Sequence, residues 1–232
     1  MKIYLIMVQT LEGNNVIPPL GIMYVAAAAR KAGHDVKLID ADPDEIDIVN
    51  KVVDFKADVI GLSFLTTEFE KARMLTGQLK KSLSRTTICL GGVHPTVEPE
   101  ATLRAFLCDL IIVGEGEDTF CEVCERIKQA VSYDDVPGVW VLKDNKLISN
   151  PARKTKADLE SLPFPARDLV NFDKLYLTFP GVIRGKFVKS TIVMAGRGCR
   201  YNCSHCSVNL MYGGQNYRLR SPENVIKEML HL

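Results

Sequence analysis

The sequence predicts an α/β protein with a doubly wound parallel sheet. Between Lys2 and about Ala130, short runs rich in apolar and β-branched residues alternate with longer stretches of helical period. Five repeats of this pattern are visible, and five parallel strands suit a flavodoxin-like sheet of order 2-1-3-4-5. The composition supports a folded domain, because 47% hydrophobic and 25% charged residues are typical of globular chains.

The predicted strands and helices alternate along the first 130 residues. The strands cover residues 2–8, 36–40, 59–63, 87–91 and 110–113. The helices cover about residues 20–33, 43–55, 68–84, 99–106 and 117–130. Gly33 stands where the first helix should end, because glycine readily adopts the left-handed conformation that closes a helix.

A boundary is predicted at residues 132–138, which are rich in Asp, Pro and Gly. We therefore predict a first domain over residues 1–135. A hairpin and linker follow over residues 136–187, and a third, incomplete part over residues 188–232 begins another domain.

Four elements are predicted in this second half. Strands over 139–142 and 147–148 flank Lys-Asp-Asn-Lys as a hairpin. Two prolines exclude helix from the stiff segment 162–166. A strand over 188–194 precedes a cysteine-rich loop, and Ser221 caps a helix that begins with Pro222.

Charge and hydropathy exclude two classes of partner. Lys plus Arg number 29 and Asp plus Glu number 28, so the net charge of +1 gives no large field to attract nucleic acid or anionic lipid. The longest apolar run, residues 20–29, is shorter than the roughly 20 residues that cross a bilayer. We predict a cytoplasmic protein without a membrane span, whose ligands bind at a local site.

Three of the seven cysteines fall close together in Cys199-Arg-Tyr-Asn-Cys203-Ser-His-Cys206. This C-x3-C-x2-C spacing indicates a metal site in a reducing compartment more than a disulfide framework. Three thiolates in one loop can each bind one iron of a [4Fe–4S] cluster and leave one iron free for a small-molecule ligand. Zinc, which takes four protein ligands in a closed site, and cysteines without a metal are the alternatives.

The cysteine loop, preceded by a strand and a glycine turn, resembles the cluster loop of radical S-adenosylmethionine (SAM) enzymes. The resemblance implies that the open iron binds SAM, that an electron donor such as flavodoxin or ferredoxin reduces the cluster, and that the substrate is a small molecule. His205 stands where the family usually has an aromatic residue near the adenine, and its flat ring is a candidate for that contact. Arg197 and Arg200 either offset the thiolate charge or stay solvated.

The first domain carries a second pattern at the carboxyl ends of its strands, where doubly wound sheets bind ligands. Ser63-Phe-Leu65, Gly91-Gly92 and Gly21 resemble, in their spacing, the motif of cobalamin-binding methyltransferases and mutases. In that motif, Val16 replaces an aspartate and Pro18 replaces the histidine that binds cobalt from below. The resemblance therefore implies cobalamin binding without the lower imidazole ligand.

A cobalamin domain ahead of a radical SAM loop resembles the B12-binding radical SAM superfamily, with the magnesium-protoporphyrin IX monomethyl ester cyclase type as one subgroup. Its members methylate, rearrange or cyclise unactivated substrates. In this resemblance Ser63 bonds the nucleotide tail, the glycine pair leaves room for it, and the turn at residues 114–116 offers backbone N–H groups. The candidate cofactor contacts are Gly21, Ser63, Leu65, Gly91, Gly92, Val93, His94, Gly114, Glu115, Gly116 and His205.

Several alternatives remain open from the sequence. Glu115 or Glu117 is expected to cap the helix near residue 117, and His94 is expected either to approach the cofactor or to bond backbone beside Pro95. Cys121 and Cys124 are expected in the core. A cobalamin carrier without radical chemistry, and a flavin or signalling domain with a zinc site, are the rival functions. The 232-residue chain is expected to lack most of a partial (β/α)6 barrel, and so to be inactive alone.

Overall fold

The computed structural model describes residues 1–9, 18–41, 47–170, 181–183, 186–188, 191–214 and 216–232. In this part of the chain, seven strands form one sheet of order β2-β1-β3-β4-β5-β6-β7. The first five strands are parallel, which confirms the doubly wound α/β prediction and its 2-1-3-4-5 order. Helices cover both faces of this sheet, as parallel strands require.

The strands of the main sheet lie within two residues of the predicted bounds. They are β1 Lys2–Val8, β2 Asp35–Ala41, β3 Val59–Phe64, β4 Thr87–Gly91, β5 Leu110–Ile112, β6 Val139–Lys143 and β7 Lys146–Ser149. Their burial explains the sequence pattern, because Ile3, Ile60 and Leu90 are fully buried. A strand covered on both faces reads as a continuous apolar run.

The helices follow the predicted order, with two additions. They are α1 Leu20–Lys31, α2 Ile48–Phe55, α3 Phe69–Ser82, α4 Val93–Val97, α5 Pro99–Ala105, α6 Glu117–Lys128, α7 Val208–Met211 and α8 Pro222–His231. The short helices α4 and α7 were not predicted. The second predicted helix began at residue 43, but residues 42–46 lie outside the described part. Short 3-10 turns cover Thr66–Glu68, Leu159–Ser161 and Arg167–Leu169.

Two apolar layers separate the helices from the sheet. One layer packs α1 and α6 against it through residues such as Met23 and Phe120. The other packs α2, α3 and α5 against it through Val52, Leu79 and Leu103. The sheet is therefore the middle of a three-layer sandwich, and its carboxyl edge is left to the loops.

The hairpin was predicted as a separate segment after a five-stranded sheet, and this detail is wrong. Strand β6 pairs antiparallel with β5, Trp140 opposite Ile111, and β7 pairs with β6, so the hairpin adds two strands to the sheet. The Trp140 indole N–H donates to the Asn150 carbonyl at 3.2 Å. Hairpins read locally do not reveal their partner, because the pairing with β5 is a tertiary contact.

The C-terminal region contains short paired strands instead of the predicted strand over 188–194. Strands β8 Gly181–Ile183 and β9 Lys186–Val188 pair with each other, as do β10 Gly196–Arg197 and β11 Arg218–Leu219. Residues 189–190 lie outside the described part, and residues 191–195 are irregular. At Ile192 a side chain, not a neighbouring strand, bonds the backbone: Arg167 donates a hydrogen bond to the Ile192 carbonyl at 2.7 Å.

The start of the last helix was predicted correctly. Ser221 is the N-cap of α8, its hydroxyl accepts a hydrogen bond from the Asn224 N–H at 3.2 Å, and Pro222 is the first helical residue. Gly33 likewise follows α1 with a φ of 86°. No helix among the described residues has the length and apolar character needed to cross a membrane.

Candidate functional site

A cavity of about 320 Å³ lies at the carboxyl edge of the parallel sheet. Strands β1, β3, β4 and β5 run in the same direction, so the loops that follow them meet at this edge. The wall that comes from the sheet and its helices includes Leu5, Gly21, Val25, Gly61, Ser63, Cys89, Gly91, Gly92, Ile112, Gly114, Glu115, Gly116, Glu117 and Phe120. Seven of the predicted cofactor contacts are therefore brought together: Gly21, Ser63, Gly91, Gly92, Gly114, Glu115 and Gly116.

Glycine is required at one point of this wall. Gly92 has a φ of 92°, and a Cβ atom there would overlap the Ser63 hydroxyl oxygen. A larger residue would therefore be strained and would separate the loops after β3 and β4. Deeper in the cavity, a Cβ on Gly61 would lie 2.7 Å from a Leu5 methyl group. The missing side chains give the cavity its depth and leave its floor apolar.

The opposite wall comes from the C-terminal region, which the sequence analysis did not anticipate. Met194, Arg197, Met211 and Tyr212 line the cavity from this side. Helix α7, which follows the cysteine loop directly, packs against α4, which follows Gly92. Burial raises the pKa of Tyr212, so its hydroxyl remains a proton donor at neutral pH. The only signal in the sequence was that these residues flank the cysteine triplet.

A buried ion-pair cluster joins the two walls. Arg197 donates to Glu115 at 2.8 Å and to Glu117 at 2.5 Å. Arg218 donates to both oxygens of Glu115, at 2.9 and 3.0 Å. Burial opposes a charge on Arg197, yet the carboxylates of Glu117 and Glu115 raise its pKa overall. The four side chains form a balanced set of two positive and two negative charges.

One expectation and one of the open alternatives about these side chains are wrong. Neither glutamate caps α6, whose N-cap in this described segment is Gly116 without a side-chain hydrogen bond. Arg197 is not solvated, since it is buried against Glu115 and Glu117. Sequence spacing did not show this, because the partners are more than 75 positions apart. Arg200, in contrast, is exposed.

Four predicted cofactor contacts, Leu65, Val93, His94 and His205, lie outside the wall of this cavity as the described residues form it. Leu65 is 45% exposed, and Val93 begins α4. His94 is buried against Phe64 and Phe69, with ring centroids 5.6 and 5.0 Å away.

The imidazole of His94 does not bond backbone beside Pro95. Its Nδ1 lies 3.0 Å from the Thr66 hydroxyl, and its buried Nε2 has no partner among the described residues. Burial lowers the pKa of His94, which favours the neutral ring. The position of Val16, where the cobalamin motif has aspartate, lies outside the described residues, while Pro18 is buried.

The predicted cluster cysteines lie on one loop at the surface. Cys199 is half-buried, and Cys203 and Cys206 are exposed. The Cys206 N–H donates to the Cys203 carbonyl at 3.1 Å, and the Tyr201 N–H donates to Cys199 Sγ at 3.5 Å. Among the described residues, no group of three His, Cys, Asp or Glu side chains is arranged to hold a metal ion. His205 is exposed on the same loop.

The two cysteines of α6, Cys121 and Cys124, have a different environment. Cys124 is fully buried, and Cys121 is half-buried on α6, as expected for core residues. Burial raises the pKa of Cys121 to about 11, so its thiol stays protonated at neutral pH. Cys203 and Cys206 are therefore accessible from solvent, whereas Cys124 is enclosed.

The residues of the cavity fit part of a cobalamin molecule. A cavity of about 320 Å³ is at the small end of small-molecule sites, roughly 300–1,000 Å³, and cannot enclose a whole corrinoid. Its apolar floor at Gly61 and Phe120 suits a flat heterocycle, and the Ser63 hydroxyl at its rim suits a polar tail. The cavity therefore has the size and chemistry of a site for the nucleotide tail.

An open parallel sheet with a glycine-lined cavity at its carboxyl edge defines a ligand-binding domain of the doubly wound class. The chain belongs to the B12-binding domain family, whose profile matches residues 7–124. This confirms the resemblance stated from Ser63, Leu65 and the glycine pair.

Curated relatives extend over nearly the whole chain. An uncharacterized methyltransferase of Pyrococcus horikoshii is 31% identical over 91% of this chain and 45% of its own length. Cytidylyl-2-hydroxyethylphosphonate methyltransferase of Streptomyces wedmorensis is 27% identical over 92% and 48%. The anaerobic magnesium-protoporphyrin IX monomethyl ester cyclase of Rubrivivax gelatinosus is 29% identical over 91% and 38%. The chain thus spans less than half the length of these relatives.

Two solved structures share the fold. The cobalamin-dependent SAM radical enzyme OxsB, with aqua-cobalamin and SAM bound, matches with a TM-score of 0.81 and 22% identity, over 98% of this chain and 31% of its own. The radical SAM methyltransferase TsrM of Kitasatospora setae matches with a TM-score of 0.75 and 16% identity, over 99% and 45%. At these identities, the likeness concerns the fold.

Proposed function

We propose that this chain is the cobalamin-binding and cluster-loop part of a cobalamin-dependent radical SAM enzyme. The observation that carries the proposal is the cavity, because its walls combine the B12-binding loops with residues on both sides of the cysteine triplet. Arg197 precedes the cysteines and Met211 follows them, and both line the same cavity as Ser63. A site shared between these two motifs supports one joint function.

The cobalamin tail is assigned to the cavity. Ser63 would bond the tail, Gly91 and Gly92 would leave room for it, and the glycine turn at residues 114–116 would offer backbone N–H groups. Gly21 lies at the rim on α1. Leu65, Val93 and His94 remain predicted contacts that this cavity does not include.

The cluster is assigned to Cys199, Cys203 and Cys206, one iron to each thiolate, with His205 beside the adenine of SAM. When bound, these cofactors would supply radical generation from SAM, and methyl transfer or radical rearrangement or cyclisation, on an unactivated small-molecule substrate. The protein's part is positional. The loop presents two exposed thiols, and Arg197 and Arg218 hold the strand that leads into it against Glu115. An electron donor such as flavodoxin or ferredoxin is the proposed partner.

The proposed domain limits keep 188–232 as the start of the radical SAM domain, but the predicted boundary between 1–135 for cobalamin binding and 136–187 for the hairpin and linker moves to the end of the hairpin. The sheet itself continues through Ser149. The pairing of β5 with β6 therefore makes the hairpin part of the same folded unit as the cobalamin domain.

A cobalamin-binding module without radical chemistry is the second candidate. It is favoured by the cysteine loop, whose three thiols are not grouped as metal ligands within the described residues. Cobalamin binding is common to both candidates, and the cluster separates them.

Anaerobic reconstitution with iron and sulfide tests the proposal. We expect iron to bind the full chain with a broad visible absorption band, and Cys203→Ala to lose most of both, because two thiolates cannot hold the cluster. Cys121→Ala is the matched control and should keep the band. Binding of hydroxocobalamin without any cluster would support the second candidate, and binding of neither would overturn both.

A further inference from the structure

We propose that Arg197 is a positioning residue. It couples the binding of cobalamin in the cavity to the position of the cysteine loop. The inference rests on the proposed function for the identity of both cofactors. It goes beyond that function by assigning the coupling to one buried side chain.

Arg197 is fixed by three different elements of the first region. Its guanidinium donates to Glu115, in the loop after β5, and to Glu117, the first residue of α6. The central carbon of the guanidinium lies over the Tyr24 ring of α1, 5.0 Å from the centroid. These contacts from three directions restrict the side chain to one position, because the two terminal nitrogens of the planar guanidinium donate to two different carboxylates.

The backbone between Arg197 and Cys199 has little freedom. Arg197 pairs with Arg218 across β10 and β11, and both arginines bond Glu115. Gly198 has a φ of 84°, and a Cβ there would overlap the Asn216 carbonyl. The position of the guanidinium is therefore transmitted over two residues to Cys199.

The same carboxylates line the cavity. Glu115 and Glu117 are wall residues, and the Glu115 side chain is 13% exposed. A ligand in the cavity would exclude water from these carboxylates, and their attraction for Arg197 would rise as the local dielectric falls. Cobalamin would thus stabilise the docked cysteine loop. By thermodynamic reciprocity, the docked loop would raise the affinity for cobalamin.

Hydrogen exchange measured by mass spectrometry on the full chain tests this coupling. The amides of residues 198–206 are followed with and without saturating hydroxocobalamin. In the unsubstituted chain, we expect cobalamin to slow their exchange roughly tenfold, within the usual range of coupling between sites. In Arg197→Met, cobalamin should still bind, several-fold more weakly, and should no longer slow exchange in this loop.

Arg200→Met is the matched control, because Arg200 is exposed and also adjoins Cys199. It should keep the full protection by cobalamin. If Arg197→Met does not fold, Glu117→Gln replaces it in the experiment, because Arg197 then still has Glu115 as its ion-pair partner. In Glu117→Gln, cobalamin should protect the loop less than in the unsubstituted chain. Arg197→Lys keeps the charge but replaces the planar group that donates to two carboxylates with a single ammonium group, and it should show partial protection.

The outcomes separate this inference from the proposed function. Full protection in Arg197→Met, or in Glu117→Gln where the first variant does not fold, would overturn the inference and leave cobalamin binding intact. Equal loss of protection in Arg200→Met would also overturn it, because the effect would then be one of local charge. Failure of the unsubstituted chain to bind hydroxocobalamin would overturn both.

Discussion

The sheet region, residues 1–149, and the C-terminal region, residues 191–232, are buried by different chemistry. In the sheet region the buried side chains are mostly apolar, and Ile3, Phe64 and Leu110 are fully enclosed. Among the described residues from 191 onward, the buried side chains are Arg197, Arg218, Arg220 and Glu228. Apolar burial drives folding, whereas buried ion pairs add little net stability but fix geometry. The first region therefore provides stability, and the second takes its position from it.

The largest expected effect is on the core of the sheet region. Phe64→Ala should lower the free energy of unfolding of the whole chain by about 3–5 kcal/mol, because it removes a fully buried ring. Leu230→Ala, at a side chain that is 83% exposed, should change it by less than about 0.5 kcal/mol. Urea unfolding followed by circular dichroism measures both. Equal losses would mean that the two regions share one core.

A smaller effect is expected from a buried charge of the C-terminal region. Glu228 bonds Arg167 at 2.7 Å and also Arg220. Glu228→Gln should loosen α8 by about 3 kcal/mol, because the buried Arg220 and the half-buried Arg167 lose their counter-charge. Hydrogen exchange should rise in residues 222–231 and stay unchanged in β3.

Glu223→Gln, at an exposed position of the same helix, is the control and should leave α8 protected. If Glu228→Gln opened β3 as well, the C-terminal region would contribute to the stability of the sheet, and the contrast between the regions would fail.

The third effect concerns ligand binding alone. Gly92→Ala forces a side chain onto a left-handed residue and against Ser63. We expect hydroxocobalamin to bind about tenfold more weakly, corresponding to about 1–2 kcal/mol of strain and displacement. Gly77→Ala adds the same methyl group on α3, where nothing lies within 4 Å, and should leave the affinity unchanged. Equal affinities of the two variants, measured by absorbance titration, would remove Gly92 from the site.

The smallest effect is a pH dependence of the sheet region. Burial lowers the pKa of His94 and of His34, so in acid the unfolded chain binds protons that the folded chain does not. The two neutral histidines contribute fully to the free energy of unfolding when the pH is above about 6.5, the pKa of histidine in the unfolded chain. This contribution decreases as the pH falls toward their lowered pKa in the folded chain. His94→Gln should therefore reduce the loss of stability between about pH 7.5 and about pH 5.5.

His205→Gln, at an exposed position, is the control for this measurement. Urea unfolding at the two pH values compares the slopes. An unchanged slope in His94→Gln would show that folding does not lower the pKa of His94.

The sequence predicted most of what local pattern determines. Strands β1 and β4 have the predicted bounds, and Gly33, Ser221 and Pro222 mark helix ends as predicted. These features depend on periodicity and on the chemistry of single residues, which the sequence displays directly.

Tertiary partners could not be predicted in the same way. The attachment of the hairpin to β5, and the pairing of Arg197 with Glu117, join residues that are distant in sequence. The expected strand over 188–194 is irregular at residues 191–194, although its composition is apolar and β-branched. The β-propensity of a residue reflects how well its side chain packs against neighbouring strands, and no described strand lies beside residues 191–194 to pair with them. The residues on the sheet side of the cavity were predicted, because the spacing of the motif identifies them. The residues of the opposite wall, such as Met194 and Tyr212, were not predicted.

The indole of the hairpin gives the protein a spectroscopic reporter at a single place. The chain contains one tryptophan, and Trp140 lies on β6 where the antiparallel hairpin joins the parallel strands at Ile111. Its intrinsic fluorescence therefore reports on that junction alone. Detachment of the hairpin before the remaining strands unfold would shift the emission to longer wavelength ahead of the loss of ellipticity. Coincident changes would mean that the strands of the described sheet unfold as one cooperative unit.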